Sequence, residues 1–224
     1  MELVVAHLED LQAQLAAGFE ALAARGPLTC ALSGGPAALI FLSALRAARP
    51  DWAAVRLFFT DERGDASAGV ESNASLTTRM LVEPQAGARP RVFPMPSGPD
   101  LDAAAAAYDA VLDRELGDAA PDLAIVGLGE DGHLAGLFPG HPALAAPARV
   151  AAVHDAPRPP HRRLTFTLPY LVSVGQIWVV GVGARKRAVV QSAVSRTGGQ
   201  TPLDHVVRRA AAVTIFTDQR LRHG

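Results

Sequence analysis

Residues 121–133 read PDLAIVGLGEDGH: an apolar run of strand length ends in glycine and at once presents Glu130, Asp131 and His133. A short run without polar alternation predicts a strand buried on both faces, as in a parallel sheet covered by helices. The same punctuation recurs outward from this stretch. LTCAL (28–32) runs into Ser33-Gly34-Gly35 and then a helical pattern opened by Pro36. VRLFFT (55–60) runs into Asp61-Glu62-Arg63, and IWVVGVG (177–183) into Ala184-Arg185-Lys186. RLTFTL (163–168) and AAVTIFTD (211–218) also read as strands. Helical spacing covers 7–25, 72–82, 100–116 and 186–194, the first ended by Gly26-Pro27. Strands alternating with helices predict an α/β domain over 1–224, a mostly parallel sheet with helices on both faces. SGG, DER, GEDGH and GARK would then all lie just past the carboxyl ends of strands, the edge where open α/β sheets bind ligands.

Bulk properties narrow the function. The 224 residues carry 21 basic and 22 acidic side chains, for a net charge of −1, with the signs interspersed. Without a polybasic run or basic-aromatic interleaving, a nucleic-acid partner is not expected. Any anion must be held by local groups. The single cysteine, Cys30, lies in an apolar run and reads as a buried thiol, which fits a reducing compartment and excludes an intrachain disulfide. MELVVAHLED lacks the features of a signal peptide. The longest apolar stretch, 168–184, is broken by Pro169, Gln176 and glycines, so no membrane span is expected. These features predict a soluble, cytoplasmic protein. DAPRPPHRR (155–163) reads as a surface excursion.

Each polar constellation has a functional and an ordinary reading. The Ser33-Gly34-Gly35 turn permits close backbone approach to a phosphate at a helix N-terminus, or it is simply a tight turn. It is neither a dinucleotide fingerprint nor a P-loop. In the second stretch Arg63 could meet a phosphate bidentately while Asp61 and Glu62 hold sugar hydroxyls; the plain alternative is a solvated turn. His133, in a loop with an acid two residues before it, is the candidate base, oriented by Asp131. A metal site of Asp131, His133 and His141 is the competitor, though the spacing matches no common zinc pattern. Arg163 and Lys186, at a strand start and after a strand end, are candidate anion anchors or ordinary surface charges.

Together these stretches resemble the 6-phosphogluconolactonase family, within the group that includes glucosamine-6-phosphate deaminases. The resemblance covers roughly residues 28–190 in the family's order. Its first motif, approximately LSGGSTP, is LSGGPAA here, keeping Ser33, Gly34 and Gly35 but replacing the hydroxyl residues from Pro36 on. Its second, beginning DER and ending SN, is matched by Asp61, Glu62, Arg63, Ser72 and Asn73. The usual Val-Pro stands as Asp65-Ala66, and the family's next acid falls at Gly69. GxDGHTASLFPG is nearly intact as GEDGHLAGLFPG (129–140), and RxTxT and GxxK match Arg163–Thr167 and Gly183–Lys186. The deaminase branch continues after GDGH toward Asn-Glu-Pro-Gly, whereas this chain ends the motif in LFPG.

The resemblance implies a Rossmann-like fold and hydrolysis of 6-phospho-D-glucono-1,5-lactone in the oxidative pentose phosphate pathway. His133 would take a proton from water and return it to the ring oxygen, with Asp131 orienting it. Ser33, Gly34, Gly35, Asp61, Glu62, Arg63, Asn73, Arg163 and Lys186 would hold substrate. No metal, cofactor or covalent intermediate is required, and a monomer or weak homodimer is expected. The alternatives are an amino-sugar-phosphate deaminase or isomerase, and a non-catalytic sugar-phosphate sensor of the same fold.

Overall fold

A computed structural model describes residues 1–64 and 72–221, so Asp65, Ala66 and Gly69 lie outside the described residues. In chain order the elements are β1 (Glu2–Val5), α1 (Leu8–Ala23), β2 (Leu28–Leu32), α2 (Pro36–Ala47), β3 (Val55–Phe59), β4 (Asp61–Arg63) and α3 (Asn73–Thr77). They continue as β5 (Arg91–Val92), α4 (Leu101–Leu116), β6 (Leu123–Gly127), β7 (Val150–Val153), β8 (Arg163–Phe166) and α5 (Leu168–Val172). The last are β9 (Gln176–Val180), α6 (Arg187–Val194), α7 (Pro202–Arg209) and β10 (Val213–Thr217).

Seven strands form a parallel sheet in the order β1-β10-β9-β6-β2-β3-β5. Successive residues of its central strands serve opposite faces. Cys30 and Leu32 join Leu11, Leu15, Phe19 and Phe41 of α1 and α2, while Ala31 joins Tyr108 and Leu112 of α4. Both faces are covered, which is why these strands carry no polar alternation. Each fully buried large apolar side chain contributes about 1.5–3 kcal/mol relative to exposure.

From β2 the chain proceeds outward to β3 and β5, then returns to β2's other side as β6. The strand order therefore reverses between β2 and β6, and a crevice opens beyond their carboxyl ends. Ser33 bridges the two strands there: its N–H donates to the Ile125 carbonyl (3.0 Å) and its Oγ accepts from the Gly127 N–H (2.9 Å).

Two expectations are corrected. DER is not a loop after a strand. Asp61–Arg63 is itself β4, paired antiparallel with β8 in a separate three-stranded sheet ordered β4-β8-β7. RLTFTL accordingly lies in this second sheet and not in the parallel one. The helix expected over 72–82 is regular only to Thr77 and continues as a wider π turn over Thr78–Val82. β1, β5, β7, α5 and α7 add to the elements read from sequence. For α7 the signal was present, because Thr201 and Asp204 form a reciprocal capping box with Pro202 in the first turn.

Candidate active site

At the strand-order reversal lies a pocket of about 340 Å³, within the usual range for small-molecule sites. Its lining includes Ser33, Gly34, Gly35, Asp61, Arg63, His133, Arg163 and Lys186. The parallel sheet provides one wall as turns. Gly34 allows close packing: a Cβ there would lie 1.7 Å from Asn73 Oδ1. Gly35, at φ 77°, turns the chain into α2, whose first residues Pro36 and Ala37 also line the pocket. A helix start aimed into a pocket favours an anion through its free N–H groups and dipole.

The GEDGH turn leaves β6 and folds back on itself, with the Gly129 N–H donating to the His133 carbonyl (2.9 Å) and the Gly132 N–H to that of Gly129 (3.1 Å). Inside it, His133 Nδ1 lies 2.5 Å from Asp131 Oδ1. A Cβ on Gly129 would fall 1.9 Å from that same Nδ1, so the turn needs glycine there. An ionised Asp131 only accepts, which assigns the proton to Nδ1 and leaves Nε2 as the basic nitrogen. Nε2 has no hydrogen-bond partner among the described residues. The His133 ring also packs on Phe138 at 4.7 Å between centroids. Burial, then the charges of Arg158 and Arg163, outweigh the support of Asp131 and hold the imidazole below its ordinary pKa. Partial burial pushes the Asp131 carboxyl up, but its hydrogen bonds and attraction to His133 prevail and leave it below the usual carboxylate range. Near neutral pH the pair therefore stands as a carboxylate beside a neutral, proton-accepting ring.

The small sheet provides the opposite wall. Asp61 is buried, and burial raises its carboxyl pKa against the pull of Arg163 and Arg63. Arg63 Nε is buried without a hydrogen-bond partner among the described residues. Lys186, in the short 3-10 turn after β9, lies 4.0 Å from Glu130, and burial lowers its pKa.

Three of the proposed substrate contacts are engaged by the protein itself. Glu62 does not line the pocket; its carboxylate accepts the N–H groups of Arg63 (2.8 Å), Asn73 (2.7 Å) and Ala74 (3.0 Å), capping α3. Asn73 stands behind Gly34 and donates through Nδ2 to the Asp61 carbonyl (2.8 Å). Arg163 reaches the pocket, but Nε donates to the Pro160 carbonyl (2.9 Å) and Nη2 to those of Pro159 (3.0 Å) and Arg158 (3.3 Å). Its Nη1 is 3.9 Å from Asp61 and its guanidinium lies over Phe138. A cation so engaged builds the wall before it meets any ligand. Asp131 also stays outside the lining, behind His133.

The excursion at 155–163 does lie at the surface, with Pro157, Arg158 and Pro159 exposed, but it is held by Arg163 and also brings Arg158 and Pro159 into the pocket lining. Nothing local in PRPP signals this. The competing metal set is not assembled, because His141 binds Asp155 through Nε2 (3.1 Å) and accepts the Ala143 N–H on Nδ1. Among the described residues no three metal-ligating side chains cluster, and no helix is long and apolar enough to cross a membrane.

Comparison with known proteins bears on the family and the fold. Residues 2–216 match the family described as glucosamine-6-phosphate isomerases/6-phosphogluconolactonase. The chain is 38% identical over 196 residues to the 6-phosphogluconolactonase of Mycobacterium tuberculosis, covering 82% of this chain and 78% of that one. Among solved structures, 6-phosphogluconolactonase from Trypanosoma cruzi superposes with a TM-score of 0.81 at 22% identity, over 96% and 94% of the two chains. A monomeric glucosamine-6-phosphate deaminase gives 0.80 at 18% identity, over 98% of each. The backbone is thus common to both branches, and the side chains must separate them. By the extent of its match and its identity to the curated relatives, the chain belongs to the glucosamine-6-phosphate isomerase/6-phosphogluconolactonase family.

Proposed function

We propose that this protein hydrolyses 6-phospho-D-glucono-1,5-lactone to 6-phospho-D-gluconate, the second step of the oxidative pentose phosphate pathway, with His133 as general base. The observation that carries the reading is the Asp131–His133 pair, which leaves Nε2 free in a pocket that also contains a glycine turn at a helix start. Nε2 takes a proton from water as the water oxygen attacks the lactone carbonyl carbon. The tetrahedral intermediate then breaks its bond to the ring oxygen, and the imidazolium returns the proton to that oxygen. Asp131 stabilises the transient imidazolium, and the new acid ionises into solvent. The Ser33–Gly35 turn, the start of α2 and Lys186 form the anion end, while Arg63 meets substrate oxygens. Phe138, from the LFPG ending, supports the His133 ring, so the lactonase-type segment is built into the base.

The test is 6-phosphogluconate formation above the spontaneous rate, measured alongside ammonia release from glucosamine 6-phosphate. Accelerated lactone opening without ammonia is expected. Unphosphorylated gluconolactone should be poorer by about 10³-fold in kcat/KM, since charge-assisted contacts to the phosphate contribute about 1.5–3 kcal/mol each. Ammonia release without lactone opening would assign the chain to the deaminase branch. Sugar-phosphate binding without turnover would make it a sensor.

A further inference from the structure

We propose that Arg158 is a positioning residue of this reaction, its Nε fixing the Asp131 carboxylate so that Oδ1 remains on His133 Nδ1. The proposal rests on the reading of His133 as the base. Arg158 Nε donates to Asp131 Oδ2 at 3.2 Å, while Oδ1 holds the ring. The two oxygens are thereby divided between one cation and one imidazole. The arginine's own backbone is anchored from below. Arg163, only 7% exposed, takes the carbonyls of Arg158, Pro159 and Pro160, and its guanidinium lies over the Phe138 ring that supports His133. A segment with no regular hydrogen-bond ladder is in this way held rigidly enough for one side chain to meet a carboxylate. Arg158 lines the pocket, and its Nη groups have no hydrogen-bond partner among the described residues. They remain available to a substrate oxygen without giving up Asp131.

The charged groups around the pair set the expected pH behaviour. Asp131, Arg158 and Arg163 act on the His133 ring, Asp61 faces it from β4, and Lys186 acts on Asp131 from the turn after β9. Asp131 favours the imidazolium, whereas Arg158 opposes it directly and by neutralising Asp131. Removing Arg158 lifts both electrostatic influences in one direction, so the imidazolium becomes more stable as long as Asp131 Oδ1 still meets Nδ1, while the looser carboxylate is read in kcat. Because the free base is the active form, the acid limb of kcat/KM must then move toward higher pH.

The experiment compares wild type, Arg158→Gln and Arg158→Lys on the phosphorylated lactone, with His133→Ala as reference. Arg158 is half exposed, so the variants should fold, which circular dichroism checks. Arg158→Gln should lower kcat about tenfold at neutral pH with a smaller change in KM, and its acid limb should move upward. Arg158→Lys, which retains the charge, should return the limb toward the wild-type position. Substrate phosphate ionisation is common to all variants and cancels. An unmoved limb in Arg158→Gln, or one that Arg158→Lys displaces equally far, overturns the proposal. An active His133→Ala would instead overturn the base itself, so the two failures are distinguishable.

Discussion

The parallel sheet and the small antiparallel sheet supply one pocket by different means. The parallel sheet contributes the turns beyond its strand ends: Ser33–Gly35 after β2, the GEDGH turn after β6 and Lys186 after β9. The antiparallel sheet contributes side chains from within strands, Asp61 and Arg63 on β4 and Arg163 on β8. Turns can be exchanged between local geometries, so the first wall is expected to carry chemistry and ligand contacts. Strand residues are locked by pairing with a segment far along the chain, so the second wall is expected to carry shape as well as charge. Substitutions in each wall test this division.

The largest effect is expected at His133. His133→Ala should remain folded and lose about 10²–10⁴-fold in kcat, the usual contribution of a general base, measured above spontaneous hydrolysis. Near-normal turnover would take the first wall out of the chemistry.

Next is Arg163→Ala in the second wall. It abandons three carbonyl acceptors and leaves Asp61 buried beside fewer cations. A loss of about 3 kcal/mol is expected, or a Tm lower by roughly 6–12 °C in a chain of this size. Activity should fall on the phosphorylated and plain lactones alike, because the damage is to the wall. A loss confined to the phosphorylated substrate would return Arg163 to the role of anion anchor.

Gly34→Ala tests how closely the two walls are joined. The added methyl must displace the buried Asn73 amide, which also holds the Asp61 carbonyl. Overpacking of this kind costs about 1–3 kcal/mol, readable by denaturant titration. An unchanged midpoint would mean that Asn73 yields freely.

The smallest effect is expected at Lys186→Ala. It should raise KM about tenfold for the phosphorylated lactone and leave stability and the plain lactone nearly unaltered. Equal losses on both substrates would place Lys186 at the reacting end of the pocket.

The legible parts of this protein are those governed by near neighbours. LTCAL and LAIVG declare buried parallel strands because both faces of the sheet are covered, and the glycines after them mark where backbone must turn or pack tightly. Asp131 and His133 are two residues apart, so one turn suffices to pair them. Sequence by itself therefore determined the parallel sheet, its ligand edge, the acid–histidine pair and the family resemblance. The DER strand and the Arg163 clamp depend on antiparallel pairing between residues 61–63 and 163–165. Glu62 could be told from its neighbour Asp61 only when α3 brought the N–H groups of Asn73 and Ala74 to a carboxylate that already accepts that of Arg63. Arg158 gained its place because a buried guanidinium must find acceptors, and those available were the carbonyls of the Arg158–Pro160 segment. Tertiary structure alone decided these assignments, since hydrogen-bond satisfaction over long sequence separations leaves no local pattern.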